Sequence, residues 1–328
     1  MVVGMRLLVL GGTGFVGRAV ADEARARGHQ VTLLNRGRRA VPDGVAALVG
    51  DRLAADGLAA LGDRGFDAVV DTWSGDPEAV RIAARTLTGR AGHYTYVSSR
   101  SVYAEGSAPP LTEEAPLVPA DTDFAYAAHK RGAEIAAEEH FAGPVLLGRA
   151  GLILGPHEDV GRLPWWLRRL ARGGPTLAPG PPGLPLQYID ARDLAAFLLD
   201  AADQRLAGPY NLVSEPGHAT MGELLDTANA VTGGHAELRW TDPQVILDAG
   251  IEPWTELPIW LPPGPDYDLL HCGDVGKAVK AGLRLRPVRD TVADTWSWLQ
   301  ATGGASPSHP ERAATGLDPA KEAAVLNR

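Results

Sequence analysis

From the start of the chain to about residue 150, short apolar runs alternate with longer segments in which apolar residues recur at helical spacing. The short runs predict strands at 6–10, 30–35, 46–49, 67–71, 94–98 and 144–149. The longer segments predict helices at 14–27, 53–61, 77–87 and 126–140. Strands that alternate with helices in this way build βαβ units, whose strands run parallel. Runs such as Leu7-Leu8-Val9-Leu10 and Ala68-Val69-Val70 are apolar at every position rather than at alternate ones. A strand of that kind is covered on both faces, so the pattern specifies an α/β, doubly wound parallel sheet.

Beyond Arg149 the texture changes. Residues 173–185 are dense in glycine and proline, and five of the eight tryptophans fall between Trp165 and Trp260. Such punctuation marks loops and a change of architecture. A strand at 186–189 and a helix at 192–202 look like one more βα pair returning to the sheet. The expected organisation is a first domain over 1–155 with 184–204 returning to it, and a smaller C-terminal substrate-binding domain from 156–183 and 205–304. The tail, 305–328, reads as a linker and a short helix at 319–326.

Composition narrows the classes. Hydrophobic residues at 45% and charged residues at 22% are ordinary globular usage. The net charge of −9, with its basic residues scattered, offers no footprint for a polyanion, so neither nucleic acid nor an anionic membrane is an expected partner. No apolar run approaches the length of a membrane span, and glycines interrupt the apolar start, which speaks against a secretory leader. The single cysteine, Cys272, can close no intrachain disulfide and has no second cysteine beside it to build a metal site. No metal is expected, and a reducing, cytoplasmic compartment is.

Two segments carry chemistry. Gly11-Gly12-Thr13-Gly14-Phe15-Val16-Gly17 follows a predicted strand and opens a predicted helix, the context in which a glycine pattern signals dinucleotide binding. Gly11 permits the turn, Gly14 lets backbone approach a pyrophosphate, and Gly17 lets helix pack on strand. Where such folds carry an acid for the ribose 2′-hydroxyl, this chain has Asn35-Arg36-Gly37-Arg38-Arg39. Guanidinium forks suit a 2′-phosphate, so the reading favours NADP(H) over NAD(H), with Asn35, Arg36 and Arg39 as contacts. Asp51 and Arg52, after the third strand, are placed toward the adenine. Thr72 and Trp73, at the end of the fourth, are placed toward the nicotinamide.

The second segment is Tyr126-Ala127-Ala128-His129-Lys130, which puts a phenol and an ammonium on one helix face. A nearby cation favours the phenolate, making Tyr126 a candidate acid/base. Upstream, Val97-Ser98-Ser99-Arg100-Ser101-Val102-Tyr103 ends the fifth strand, where open parallel sheets bind ligands.

Together with Arg149 to Pro156 and Gln187 to Leu194, these segments resemble the extended short-chain dehydrogenase/reductases, also called the NAD-dependent epimerase/dehydratase family. The resemblance spans most of residues 5–300. It implies a Rossmann fold and a catalytic set of Ser99, Tyr126 and Lys130. Tyr126 would exchange a proton with substrate, Ser99 would orient the substrate oxygen, and Lys130 would also hold the nicotinamide ribose. A homodimer through the helix carrying Tyr126 resembles family practice.

Two departures shape the functional expectation. Leu152 stands where sugar-nucleotide members carry an asparagine, and Trp73 replaces the small residues usual at the nicotinamide entrance. With Ser99 and Trp165, these residues suggest a pocket for an apolar small molecule. The leading expectation is an NADP(H)-dependent oxidoreductase acting on a carbonyl or alcohol of a small, largely apolar metabolite. An NAD(P)-dependent epimerase or dehydratase that recycles its cofactor, with a nucleotide sugar as one candidate substrate, is the alternative. A non-catalytic NADP-binding sensor is a further one.

Overall fold

The computed structural model describes residues 4–54, 56–304 and 315–327. The short apolar runs form six strands of one sheet: β1 (Arg6–Leu10), β2 (Gln30–Asn35), β3 (Ala46–Val49), β4 (Ala68–Asp71), β5 (Tyr94–Ser99) and β6 (Val145–Ala150). A seventh strand, Gly208–Leu212, closes one edge, and the order is Gly208–Leu212, β6, β5, β4, β1, β2, β3, parallel throughout. This is the doubly wound Rossmann arrangement. Every side chain of β4, β5 and β6 is buried, as helices on both faces require.

The helices follow from their stripes. In α1 (Phe15–Ala26) the buried residues are Gly17, Val20, Ala21 and Ala24, one face at helical spacing. In α2 (Glu78–Leu87) they are Ala79, Val80, Ala83, Ala84 and Leu87. In α3 (Ala125–His140) the buried face is mostly alanine, but it also carries Lys130 and Glu134. Two polar groups on a core-facing stripe mark a site.

The structure departs from the sequence reading in three places. The helix expected at 53–61 is reduced to a 3-10 turn at Ala59–Leu61. Gly57 breaks it, because its backbone lies so close to Asp51 that a Cβ there would fall 1.8 Å from the Asp51 carbonyl oxygen. The strand expected at 186–189 splits into Pro185–Leu186 and Tyr188–Asp190, which pair with Ala219–Thr220 and Leu152–Leu154 and not with the main sheet. The sheet's last strand is instead Gly208–Leu212. Its Gly-Pro-Tyr-Asn sequence reads as a turn, yet proline is tolerated on an edge strand, where a missing donor costs little.

The chain divides into two units. The first comprises residues up to Gly151 with Ala191–Val213 and Asp274–Arg284; the second comprises Leu152–Asp190, Ser214–Gly273 and Leu285–Arg328. The sequence reading had put 152–155 and 184–190 in the first domain, and 205–213 and 274–284 in the second. Residues 274–284 join the sheet because Asn211 Nδ2 donates to the Asp274 carbonyl at 2.8 Å and Lys277 Nζ to that of Pro209 at 2.7 Å. The second unit has its own core, in which Trp166 and Trp260 are fully buried with their indole N–H groups on the carbonyls of Pro258 and Gly180. Its terminal helix, Pro319–Leu326, is capped by Asp318. The expected linker residues 305–310 lie outside the described residues.

Candidate active site

The glycine loop leaves β1 and enters α1. Gly11 and Gly12 take φ of 118° and 84°, the left-handed region that favours glycine. A Cβ on Gly17 would sit 2.5 Å from the Gly12 amide nitrogen, so this glycine is what allows α1 to lie on the turn. At Gly14, by contrast, a Cβ would meet only Arg39 Nη1, at 3.4 Å. The loop therefore presents an open face where α1 begins, with no side chain capping its first amides and a guanidinium nearby. Orphan amides, the positive helix end and Arg39 together fit a dinucleotide pyrophosphate. Thr13, Phe15 and Val16, half-buried, complete the loop.

At the end of β2, Asn35 Oδ1 accepts the Gly37 amide at 2.7 Å, shaping a turn that leaves Arg36 and Arg39 exposed. Asp51 is also exposed, its carboxylate accepting the Leu53 amide at 3.2 Å. Thr72 Oγ1 donates to the Leu10 carbonyl and lies against Gly11.

Arg52 points elsewhere. Its guanidinium is buried and bound bidentately by Asp71, with Nη1–Oδ1 and Nη2–Oδ2 both at 2.6 Å, and Nη2 also donates to the Ala79 carbonyl at 3.0 Å. The structure thus gives Arg52 a place in the core beneath the strand ends, with its donors turned away from the adenine side assigned to it by adjacency to Asp51.

The candidate reacting groups lie on β5 and α3. Successive strand residues face opposite ways, and this separates the two serines. Ser98 Oγ donates to Glu134 Oε1 at 2.7 Å, while Ser99 Oγ accepts the Ser101 amide and donates to Ser101 Oγ, both at 3.1 Å. Ser98 is therefore absorbed into the core, and Ser99 stays at the strand's end. Tyr126 is 40% exposed, open to a substrate. Lys130 is buried, 6.0 Å from the Tyr126 ring centre and 4.9 Å from that of Tyr96. Its Nζ donates to the carbonyls of Val97 at 2.7 Å and Trp73 at 2.9 Å. Burial pulls the ammonium down to about 8, against Asp71 and Glu134, which favour its charge.

Glu134 is the residue that sequence reasoning missed. Besides Ser98 it takes Arg149 Nε at 2.9 Å and Nη2 at 3.1 Å, and Arg131 at 3.2 Å. Its signal was positional: it lies one helical turn beyond Lys130, on the same face.

Leu152 and Trp165 belong to the second unit. Leu152 is buried in that unit's core. Trp165 packs edge-on against Trp166 and lines a cavity of about 780 Å³ with Arg168, Arg172, Trp296 and Gln300. Among the described residues no helix is long and apolar enough to cross a membrane, and no group of three or more His, Cys, Asp or Glu side chains could hold a metal.

A glycine loop on a parallel sheet, with a buried lysine one helical turn from an exposed tyrosine, defines a dinucleotide-dependent enzyme of the short-chain dehydrogenase/reductase type. The chain belongs to the NAD dependent epimerase/dehydratase family, whose model matches residues 7–212. It is 27% identical to the 3-diazoavenalumate denitrifying reductase of a Streptomyces species over 235 residues, 64% of this chain and 76% of that protein. It is 48% identical to the human Epimerase family protein SDR39U1 over 54 residues, which is 16% of this chain and only 17% of that protein's length. Among solved structures, the Bordetella bronchiseptica enzyme WbmG in complex with NAD and UDP superposes with a TM-score of 0.69 at 17% identity, covering 93% of this chain and 97% of that one.

Proposed function

We propose that the protein catalyses an epimerase- or dehydratase-type reaction, in which a carbinol carbon of a small substrate is oxidised and the oxidation is reversed within the same turnover. The observation that carries this reading is Lys130 of α3, bound to the Val97 carbonyl of β5 and 6.0 Å from the Tyr126 ring centre, with Ser99 at the end of the same strand, in a member of this family. A bound nicotinamide would accept and return the hydride. Tyr126 takes the hydroxyl proton and later gives it back, Ser99 donates to the substrate oxygen, and Lys130 favours the phenolate through its charge. The family's description as NAD dependent epimerase/dehydratase supports this reading better than the leading sequence expectation of net NADP(H)-dependent turnover.

For the cofactor, Asn35 in place of an acid and the exposed Arg36 support NADP(H). A second reading, net reduction of an apolar carbonyl, is favoured by the likeness to a reductase. One assay separates the two. The protein is given oxidised cofactor with UDP-glucose or UDP-N-acetylglucosamine, and reduced cofactor with aryl and cyclic ketones, while nicotinamide absorbance and products are followed. Conversion of a nucleotide sugar with no net cofactor change is expected. Ketone reduction with stoichiometric cofactor loss, and no sugar conversion, overturns the recycling reading.

A further inference from the structure

Asp71 and Trp73 stand at the end of β4, and Arg52 lies 19 residues earlier, yet all meet under the nicotinamide side of the sheet. The Asp71 carboxylate takes four donors: Arg52 Nη1 and Nη2, the Tyr94 hydroxyl at 2.5 Å and the Trp73 amide at 3.0 Å. Arg52 also lies 5.3 Å from the centre of the Trp73 ring, whose Nε1 donates to the Asp76 carbonyl at 2.7 Å. Trp73 is thus held at its amide, its indole face and its indole N–H. Its remaining backbone group, the carbonyl oxygen, accepts from Lys130 Nζ at 2.9 Å and from the Tyr96 hydroxyl at 3.0 Å.

We propose that the buried Arg52–Asp71 pair is a positioning device for Lys130, acting through the clamped backbone of Trp73. The inference rests on the proposed role of Lys130 beside Tyr126, but the device itself can be tested without any substrate. Lys130 is the one lysine of α3, and its neighbours are the Val97 and Trp73 carbonyls, the Tyr96 and Tyr126 rings and the charges of Asp71 and Glu134. With the carbonyl of Trp73 in place, the ammonium keeps a hydrogen bond that its neutral form cannot make as well. Loosening Trp73 therefore lowers the titration midpoint of Lys130.

The direct test is nuclear magnetic resonance of the full-length protein labelled at lysine, where Lys130→Arg assigns one signal against those of Lys277, Lys280 and Lys321. The variant to compare is the double substitution Arg52→Leu with Asp71→Leu. Replacing a buried pair by apolar groups is often tolerated, but Asp71 itself favours the Lys130 charge, so this variant removes a direct attraction together with the clamp. A fall in the Lys130 midpoint by about one pH unit is expected in the folded double variant. A midpoint equal to the parent's overturns the proposal. Tyr94→Phe, which keeps both charges and removes one uncharged donor from Asp71, separates the clamp from the lost field and decides whether or not the double variant folds: a smaller fall supports the device and an unmoved midpoint rejects it. Because no turnover enters this readout, a failed activity assay bears on the proposed function alone.

Discussion

Both units bury arginine–carboxylate pairs, and two of these, Arg52–Asp71 in the first and Arg169–Glu322 in the second, serve different ends. In the first unit Arg52 and Asp71 lie under the strand ends, and their contacts lead through Trp73 to Lys130. In the second unit Arg169 Nε bridges both oxygens of Glu322, at 2.9 and 2.8 Å, and the pair joins Arg162–Ala171 to the terminal helix Pro319–Leu326. Arg169 also donates to the carbonyls of Gly173 and Pro175, and Glu322 accepts the Leu177 amide at 3.1 Å. Both pairs satisfy the requirement that buried charge be paired and hydrogen-bonded. What differs is the third party: a backbone carbonyl that holds a reacting group in one case, a chain terminus in the other. A buried ion pair by itself therefore says nothing of function until its next neighbour is named.

In the first unit, Tyr126→Phe is expected to lower turnover by about a hundredfold to ten-thousandfold, the usual range for losing a positioned acid/base, while cofactor affinity measured by titration calorimetry stays close to the parent's. Turnover equal to the parent's would remove Tyr126 from the reaction. In the second unit, Arg169→Ala leaves Glu322 buried and alone, and is expected to destabilise the fold by about 3–5 kcal/mol in denaturant unfolding. The same substitution should leave cofactor affinity unchanged. A loss of affinity without a loss of stability would reverse the roles assigned to the two units.

Titration gives a finer test. Glu158 is buried at the start of Arg162–Ala171, and burial pushes its carboxyl up to about 7, although Arg162 and the amides of Arg162 and Leu163 favour the carboxylate. The folded state then holds a proton over a window in which the unfolded chain, near 4.5, has released it. Its contribution to stability is fully present below that lower value and is lost as pH rises through about 7. Thermal unfolding of the parent should accordingly weaken across this window more steeply than that of Glu158→Gln, and parallel curves would contradict the assignment. Smallest is Arg36→Ala, expected to reduce any preference for NADPH over NADH by about tenfold, the equivalent of one charge-assisted contact. Equal affinity of the parent for both cofactors would remove Arg36 from that role.

What could be read in the sequence follows the same division. Strands β1, β4, β5 and β6 and helices α1 to α3 were legible because burial on both faces leaves near-continuous apolar runs, and helices covering them leave a stripe. Ser99, Tyr126 and Lys130 were legible as candidates because a strand end and one helix face are places where such chemistry is carried. Gly208–Leu212 was not, since an edge strand tolerates the glycine, proline and asparagine that otherwise signal a turn. Arg52 was given to the cofactor by its neighbour Asp51, because adjacency in sequence says nothing of which way a loop side chain turns. Its partner Asp71 lies on another strand, and such a pairing becomes visible only when β4 is placed beside β1. Glu134 went unread for a simpler reason: a glutamate in an alanine-rich helix looks solvated until the sheet covers it.

The central claim is that Ser99, Tyr126 and Lys130 carry out an oxidation that is reversed before product leaves. Deuterium placed on the reacting carbon of a converted substrate follows that hydrogen directly. The account predicts that the deuterium is recovered in the product while nicotinamide absorbance ends where it began. Deuterium appearing in released reduced cofactor, in step with stoichiometric product, would contradict it.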